Sequence, residues 1–220
     1  MKIELQVRGL LFDMDGVLMS SIGSVERSWR RYAASRGLDP EHAIHLAHGR
    51  RAIETVRALR PDLDDAAELR YIEDLEVEDN EGLVVLPGVK ELLAALPEGS
   101  WAVVTSATER LARSRMAHAG IKIPKHFVTA ETVEQGKPHP EPYRHGAALL
   151  GAPPADCLVV EDAPAGVGSG KAAGCPVLAV LTTYPPETLM DADWRVPTLA
   201  GIRANPDASG RVHLQFDSAD

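Results

Sequence analysis

The sequence predicts an α/β protein: a doubly wound parallel sheet with an all-helical segment inserted after its first strand. Three observations carry this. Over residues 87–181, short apolar runs alternate with stretches of helical periodicity, the pattern of a parallel sheet covered by helices on both faces. Over residues 19–82, helical spacing recurs without a convincing strand. Ahead of that segment stands one apolar run, Leu10-Leu11-Phe12, which ends in Asp13-Met14-Asp15-Gly16. Such a run reads as a buried parallel strand that closes in an acidic turn.

The elements follow in order. The run at 10–12 is the first strand. Ile22, Val25, Trp29 and Tyr32 recur at helical spacing with Glu26, Arg27, Arg30 and Arg31 between them, so a helix spans 22–36 and Gly37 stops it. Further helical stretches cover 41–47, 51–59 and 64–78. Together they make an insertion of roughly sixty residues between two strands of the sheet. The division predicted is a core of residues 1–18 and 84–220 and a helical unit of residues 19–83. After Pro87-Gly88, a helix carries Val89, Leu92, Leu93 and Leu96 on one face. Strands at 101–105, 127–130, 157–160 and 176–181 then alternate with helices at 108–119, 141–150 and 164–173. Crossovers between parallel strands are expected to be right-handed. Residues 195–196 and 211–216 suit short edge strands, and residues 217–220 are expected to fray.

Composition bounds the function. Of 220 residues, 45% are hydrophobic and 25% charged, the balance of a soluble globular protein. A net charge of −9 argues against nucleic acid or an anionic membrane as the main partner. No apolar run approaches the ~20 residues needed to span a bilayer, and the N-terminus lacks the apolar core of a signal peptide. Cys157 and Cys175 follow no zinc or redox spacing. A reduced, cytoplasmic setting is the expectation.

Chemistry-bearing groups recur where the parallel strands end. The first strand ends in Asp13 and Asp15. The strand at 101–105 ends in Thr105-Ser106-Ala107. The loop after the third strand carries Gly136-Lys137-Pro138, and the fourth strand ends in Glu161-Asp162. Open α/β sheets hold their ligands at this carboxyl edge. Taken singly, each group has a plainer reading: an N-cap for Thr105-Ser106, a solvated turn for Lys137, first-turn acids for Glu161-Asp162. Their conjunction in one chain order is what points to a site.

With these motifs in place, the sequence resembles the haloacid dehalogenase superfamily of aspartate-nucleophile phosphotransferases, whose core is Rossmann-like and whose helical insertion is a cap. The segments Gly136-Lys137-Pro138-His139-Pro140-Glu141-Pro142-Tyr143 and Val160-Glu161-Asp162-Ala163-Pro164-Ala165-Gly166-Val167 are similar to the sugar-phosphate phosphatase branch, which includes glycerol-phosphatases and 2-deoxyglucose-6-phosphatases. The resemblance implies a phosphatase for a small phosphorylated molecule, working as a monomer. Asp13 would attack phosphorus and Asp15 would protonate the leaving alkoxide, then deprotonate the attacking water. Ser106 and the Ala107 amide would hold phosphate oxygens, while Lys137 would offset their charge. Asp13, Glu161 and Asp162 against one lysine would repel a phosphate dianion. A divalent cation restores neutrality, and all-oxygen ligands favour magnesium. In the family, the metal ligands map to Asp13, the Asp15 carbonyl and Asp162, with Glu161 direct or through water.

Asp15 separates phosphatase or phosphomutase from the dehalogenase branch, where no alkoxide needs a proton. Residues 17–87 contain no lysine, which excludes a phosphonate-hydrolysing Schiff base and counts against a sugar-phosphate mutase. The mutase stays open as an alternative. So does a non-enzymatic phospho-accepting domain, although such domains lack a helical insertion. Within that insertion, Ala47-His48-Gly49-Arg50-Arg51 lies between two helices, and His48 and Arg50 are the candidates for substrate contact. His42, His45 and His48 smear across the helix surface and do not suggest a metal cluster.

Overall fold

The computed structural model describes residues 1–219. Its main sheet has six parallel strands, which in chain order are β2 (Gly9–Phe12), β5 (Trp101–Val104), β6 (His126–Val128), β7 (Cys157–Glu161), β8 (Val177–Val180) and β9 (Trp194–Val196). Across the sheet they lie in the order β6-β5-β2-β7-β8-β9. Both faces are covered. Leu10 and Phe12 enter one core cluster with Val103, Val160 and Leu178. Leu11, between them in sequence, enters the opposite cluster with Ala102, Val104 and Val159. A strand buried on both sides cannot alternate apolar with polar residues, which is why these strands read as continuous apolar runs. The helices α5 (Val89–Ala95), α6 (Glu109–Ala119), α7 (Glu141–Leu149) and α8 (Pro164–Ala173) connect the strands.

Between β3 (Met19–Ser20) and β4 (Val84–Val85) lie α1 (Ile22–Arg36), α2 (Pro40–Ala47), α3 (Ala52–Leu59) and α4 (Asp65–Glu78). These four helices share a core of their own, built on Trp29, Tyr32, Ile44, Val56 and Ile72. Gly37 ends α1 in the left-handed region, at φ 64°, a conformation that costs glycine little.

Four expectations need correction. Residues 19–82 were expected to hold no strand, yet Met19 and Ser20 pair antiparallel with Val85 and Val84. This two-stranded ribbon forms both ends of the insertion, and two residues are too short to give a periodic signal. The first strand of the chain is β1 (Lys2–Val7), ahead of the run at 10–12, and its Lys2-Ile3-Glu4-Leu5-Gln6-Val7 alternates polar with apolar. The strand at 211–216 belongs to a second, antiparallel sheet, in which β11 (Val212–Asp217) lies between β1 and β10 (Arg203–Pro206). The tail is held as well. Asp217 pairs with Lys2, Ser218 is buried, and the Ala219 amide donates to the Arg195 carbonyl at 2.7 Å. Asp220 lies outside the described residues. A smaller difference is that β6 ends at Val128 before a 3-10 turn, Ala130–Thr132. The edge strand expected at 195–196 is β9, which joins the main sheet in parallel.

Candidate active site

The site is built where β2, β5, β6 and β7 end. Asp13 follows β2 directly, and Glu161 is the last residue of β7. Lys137, in the loop that follows β6, is buried with its ammonium tied in three directions. Its Nζ lies 3.0 Å from Asp13 Oδ1 and 2.7 Å from Glu161 Oε1, and donates to the Val104 carbonyl at 3.0 Å. The Tyr143 ring lies 5.0 Å below that ammonium, and the Tyr143 hydroxyl donates to Glu161 Oε1 at 2.7 Å. Glu161 Oε2 accepts from the amides of Asp162 at 2.9 Å and Ala163 at 3.1 Å. Its lone pairs are therefore satisfied by four donors. The first turn of α8 closes over it so tightly that a Cβ on Gly166 would lie 1.7 Å from Glu161 Oε1.

This packing leaves the site short of positive charge. Burial pushes the Asp13 carboxyl up to about 7, against the pull of Lys137. Burial, then Glu161 and Asp13, holds Asp162 well above the usual carboxylate range. Burial also opposes the Lys137 charge, but Asp13 and Glu161 outweigh it and keep the lysine above its ordinary value. Asp13, Glu161 and Asp162 each place an oxygen within 4.8 Å of the others, and Asp162 Oδ1 is buried with no hydrogen-bond partner. A cluster of hard oxygens, one of them unpaired, in a charge-starved pocket fits magnesium. Because the Glu161 oxygens are already engaged, Asp13 and Asp162 are the carboxylates best able to hold the ion.

The turn after Asp15 is shaped by the same crowding. Gly16 has φ 80°, and a Cβ there would lie 1.9 Å from Asp162 Oδ2. Only glycine allows the β2 loop and the Asp162 carboxylate to pack this closely. On the β5 side, Ser106 reaches the cavity. The Ala107 amide, expected on a phosphate oxygen, donates to Thr105 Oγ1 at 3.1 Å.

Every residue expected at the site lines one cavity: Asp13, Asp15, His48, Arg50, Ser106, Ala107, Lys137, Glu161 and Asp162. The four-helix insertion roofs it. His48 and Gly49 descend from the α2–α3 loop, where a Cβ on Gly49 would lie 3.5 Å from Ala163 Cβ. His48 stacks edge-on to Tyr184 at 6.5 Å, its Nε2 is buried without a partner, and burial lowers its pKa. Arg50 is exposed at the rim. Val25 and Trp29 of α1 and Leu69 of α4 give the roof an apolar wall.

Several cavity residues escaped sequence reasoning. Thr183 and Tyr184 line the cavity and carry no spacing signal. Arg115 does, because α6 buries Leu111, Ala112, Arg115 and Met116, which puts an arginine on the apolar stripe of the helix. Its guanidinium bridges Asp15 Oδ2 at 3.0 Å and Glu76 Oε1 of α4 at 3.3 Å.

Comparison with known proteins places this arrangement. Residues 7–174 match the haloacid dehalogenase-like hydrolases. The chain belongs to that family. This hydrolase is 42% identical to hexitol phosphatase A of Escherichia coli over 216 residues, which cover 96% of this chain and 100% of that one. It is 38% identical to glycerol-1-phosphate phosphohydrolase 2 of Saccharomyces cerevisiae over 194 residues, covering 83% and 78% of the two chains. In fold it is similar to β-phosphoglucomutase from Clostridium difficile, with a TM-score of 0.75 and 20% identity over 88% of this chain and 92% of that one. The hydrolase is a phosphoric monoester hydrolase. Among its described residues, no helix is long and apolar enough to cross a membrane.

Proposed function

We propose that this hydrolase is a magnesium-dependent phosphatase of a small sugar or polyol phosphate, working through a phosphoryl group carried on Asp13. The observation that carries the reading is the pair of carboxylates Asp13 and Asp15 in one cavity, with Lys137 against the first and an arginine against the second. The relatives named for hexitol and glycerol phosphates support the leaving-group class. We divide the chain into a catalytic core, residues 1–18 and 84–220, and a cap, residues 19–83, and take the working form to be a cytoplasmic monomer.

The chain's own residues supply most of the chemistry. Asp13 attacks phosphorus as the ester bond breaks, and the electron pair leaves on the ester oxygen. Asp15 gives that oxygen a proton, so the product departs as an alcohol. Asp15 then takes a proton from water as the water attacks the phosphoryl group, which releases phosphate and regenerates Asp13. Lys137 balances charge on Asp13 and on the phosphoryl oxygens, with Glu161 and Tyr143 fixing its position. Ser106 and the Ala107 amide cradle the equatorial oxygens. Asp13, Asp162 and the Asp15 carbonyl, with Glu161 directly or through water, would hold magnesium, which would supply the remaining positive charge that a phosphate dianion needs. His48 and Arg50 contact the leaving group or its phosphate from the cap.

Substitution Asp13→Asn should abolish phosphate release from a screened panel of phosphorylated polyols and sugars while leaving the circular dichroism of the folded protein intact. Retained turnover would remove Asp13 as nucleophile. The same screen settles the mutase reading, because a mutase would isomerise a hexose phosphate with little free phosphate. The missing lysine in residues 17–87 disfavours that outcome.

A further inference from the structure

We infer that Arg115, together with Glu76, is the positioning element of the acid–base carboxylate Asp15. The inference rests on the phosphatase reading above. Arg115 stands on α6, outside every motif of the site, and is only 2% exposed. Its Nη1 donates to Asp15 Oδ2 at 3.0 Å, and its Nη2 donates to Glu76 Oε1 at 3.3 Å. The other Asp15 oxygen, Oδ1, is buried in the same cavity with no hydrogen-bond partner. The two oxygens therefore have different surroundings. One is clamped, and the other is left for the ester oxygen and later for water.

The physical case is one of compensation. A buried guanidinium with a single carboxylate would leave one more donor unpaired, beside the Nε that has no partner here, and removal of one member of a buried charged pair is costly. Glu76, on cap helix α4, gives the second arm of Arg115 a carboxyl oxygen to donate to, so the guanidinium does not need to fold both arms onto Asp15. The planar fork fixes direction as well as charge, which a lysine ammonium cannot do. The geometry also ties Asp15 to the cap, because its clamp is anchored at one end on α4. Nearby, Glu73 and Asp74 of α4 pair with Arg110 of α6. Those pairs join the same two helices without touching Asp15, and so provide an internal control.

The step affected is protonation of the leaving oxygen during transfer to Asp13. A sugar or polyol alkoxide needs that proton, whereas p-nitrophenolate leaves without it. The ratio kcat/KM reports events only as far as this first transfer. The test uses the full chain with magnesium and compares kcat/KM for glycerol 1-phosphate, or for the best polyol phosphate in the screen, with that for p-nitrophenyl phosphate. Arg115→Met should lower the polyol value by about 100-fold, within the range expected for losing general-acid help, and the p-nitrophenyl value by less than about threefold. Arg115→Lys should fall between, with the same selectivity, and serves if the methionine variant does not fold. Arg110→Ala should move both substrates by the same small factor. Equal losses on both substrates for the Arg115 variants, or no loss on either, would overturn the inference. A wild-type enzyme that hydrolyses neither ester would instead overturn the phosphatase reading beneath it.

Discussion

At the scale of single residues, the site is governed by what each buried polar atom must have as a partner. Glu161 illustrates this. The motif suggests a metal ligand, but its two oxygens accept from Lys137, Tyr143 and two amides. It acts foremost as the anchor of Lys137. Tyr143→Phe removes one hydrogen bond to a buried charge and should destabilise the fold by about 1.5–3 kcal/mol. Chemical denaturation should show this as a lower midpoint at unchanged slope, and an unchanged midpoint would deny Tyr143 that role. Gly16 is constrained twice, by φ 80° and by the Asp162 carboxylate beside it. Gly16→Ala must displace Asp162 or the Asp15 turn. A misplacement of about 1 Å can cost about 100-fold in rate, and kcat for the preferred ester should fall at least that far.

At the scale of elements, the important contact is the seam between α4 and α6, where acids of one helix meet arginines of the other. Exposed members of that seam are worth little each. The buried Glu76 differs. Burial lifts its carboxyl from 4.5 to about 7, against the pull of Arg115. The folded protein then holds this proton more tightly than the unfolded chain does. The contribution is fully present below pH 4.5 and is lost as pH rises through about 7. Glu76→Gln has no such proton. The stability of the variant minus that of the wild type should therefore climb by about 1–3 kcal/mol between pH 4.5 and pH 7. Urea unfolding of both proteins across that range checks it, and a flat difference would place Glu76 at an ordinary pKa. Strand β1 belongs to the same scale. Its alternating pattern was legible in the sequence, but its partner is β11, more than two hundred residues away, and no local signal names such a partner.

At the scale of the whole molecule, core and insertion enclose one cavity, and the charge balance of that cavity couples ligand binding to stability. If magnesium binds the folded site and not the unfolded chain, it stabilises the fold by mass action. At a hundred times its dissociation constant the gain is about 2.7 kcal/mol, which for a chain of this size raises Tm by about 5–10 °C. Thermal melting with magnesium and with EDTA measures the shift directly, and Asp162→Asn should abolish it. No shift in the wild type would defeat the charge argument for a metal.

The sequence alone determined the parallel α/β core, the helical insertion and the residues gathered at the sheet's carboxyl edge. Those features are written in local period and in the ends of strands, as Leu10-Leu11-Phe12 followed by Asp13 and Asp15 makes plain. Only the tertiary structure decided what each carboxylate is paired with. Glu161 is taken up by Lys137 and Tyr143, Asp162 lies against Gly16, and Asp15 is clamped by an arginine a hundred positions away. The reason is physical: partners for buried charge are set by distance in space, and packing brings together groups that sequence spacing keeps apart. Thus the stretch from Leu10 to Gly16 supplies Asp15, while α6 and α4 bring its partners to it.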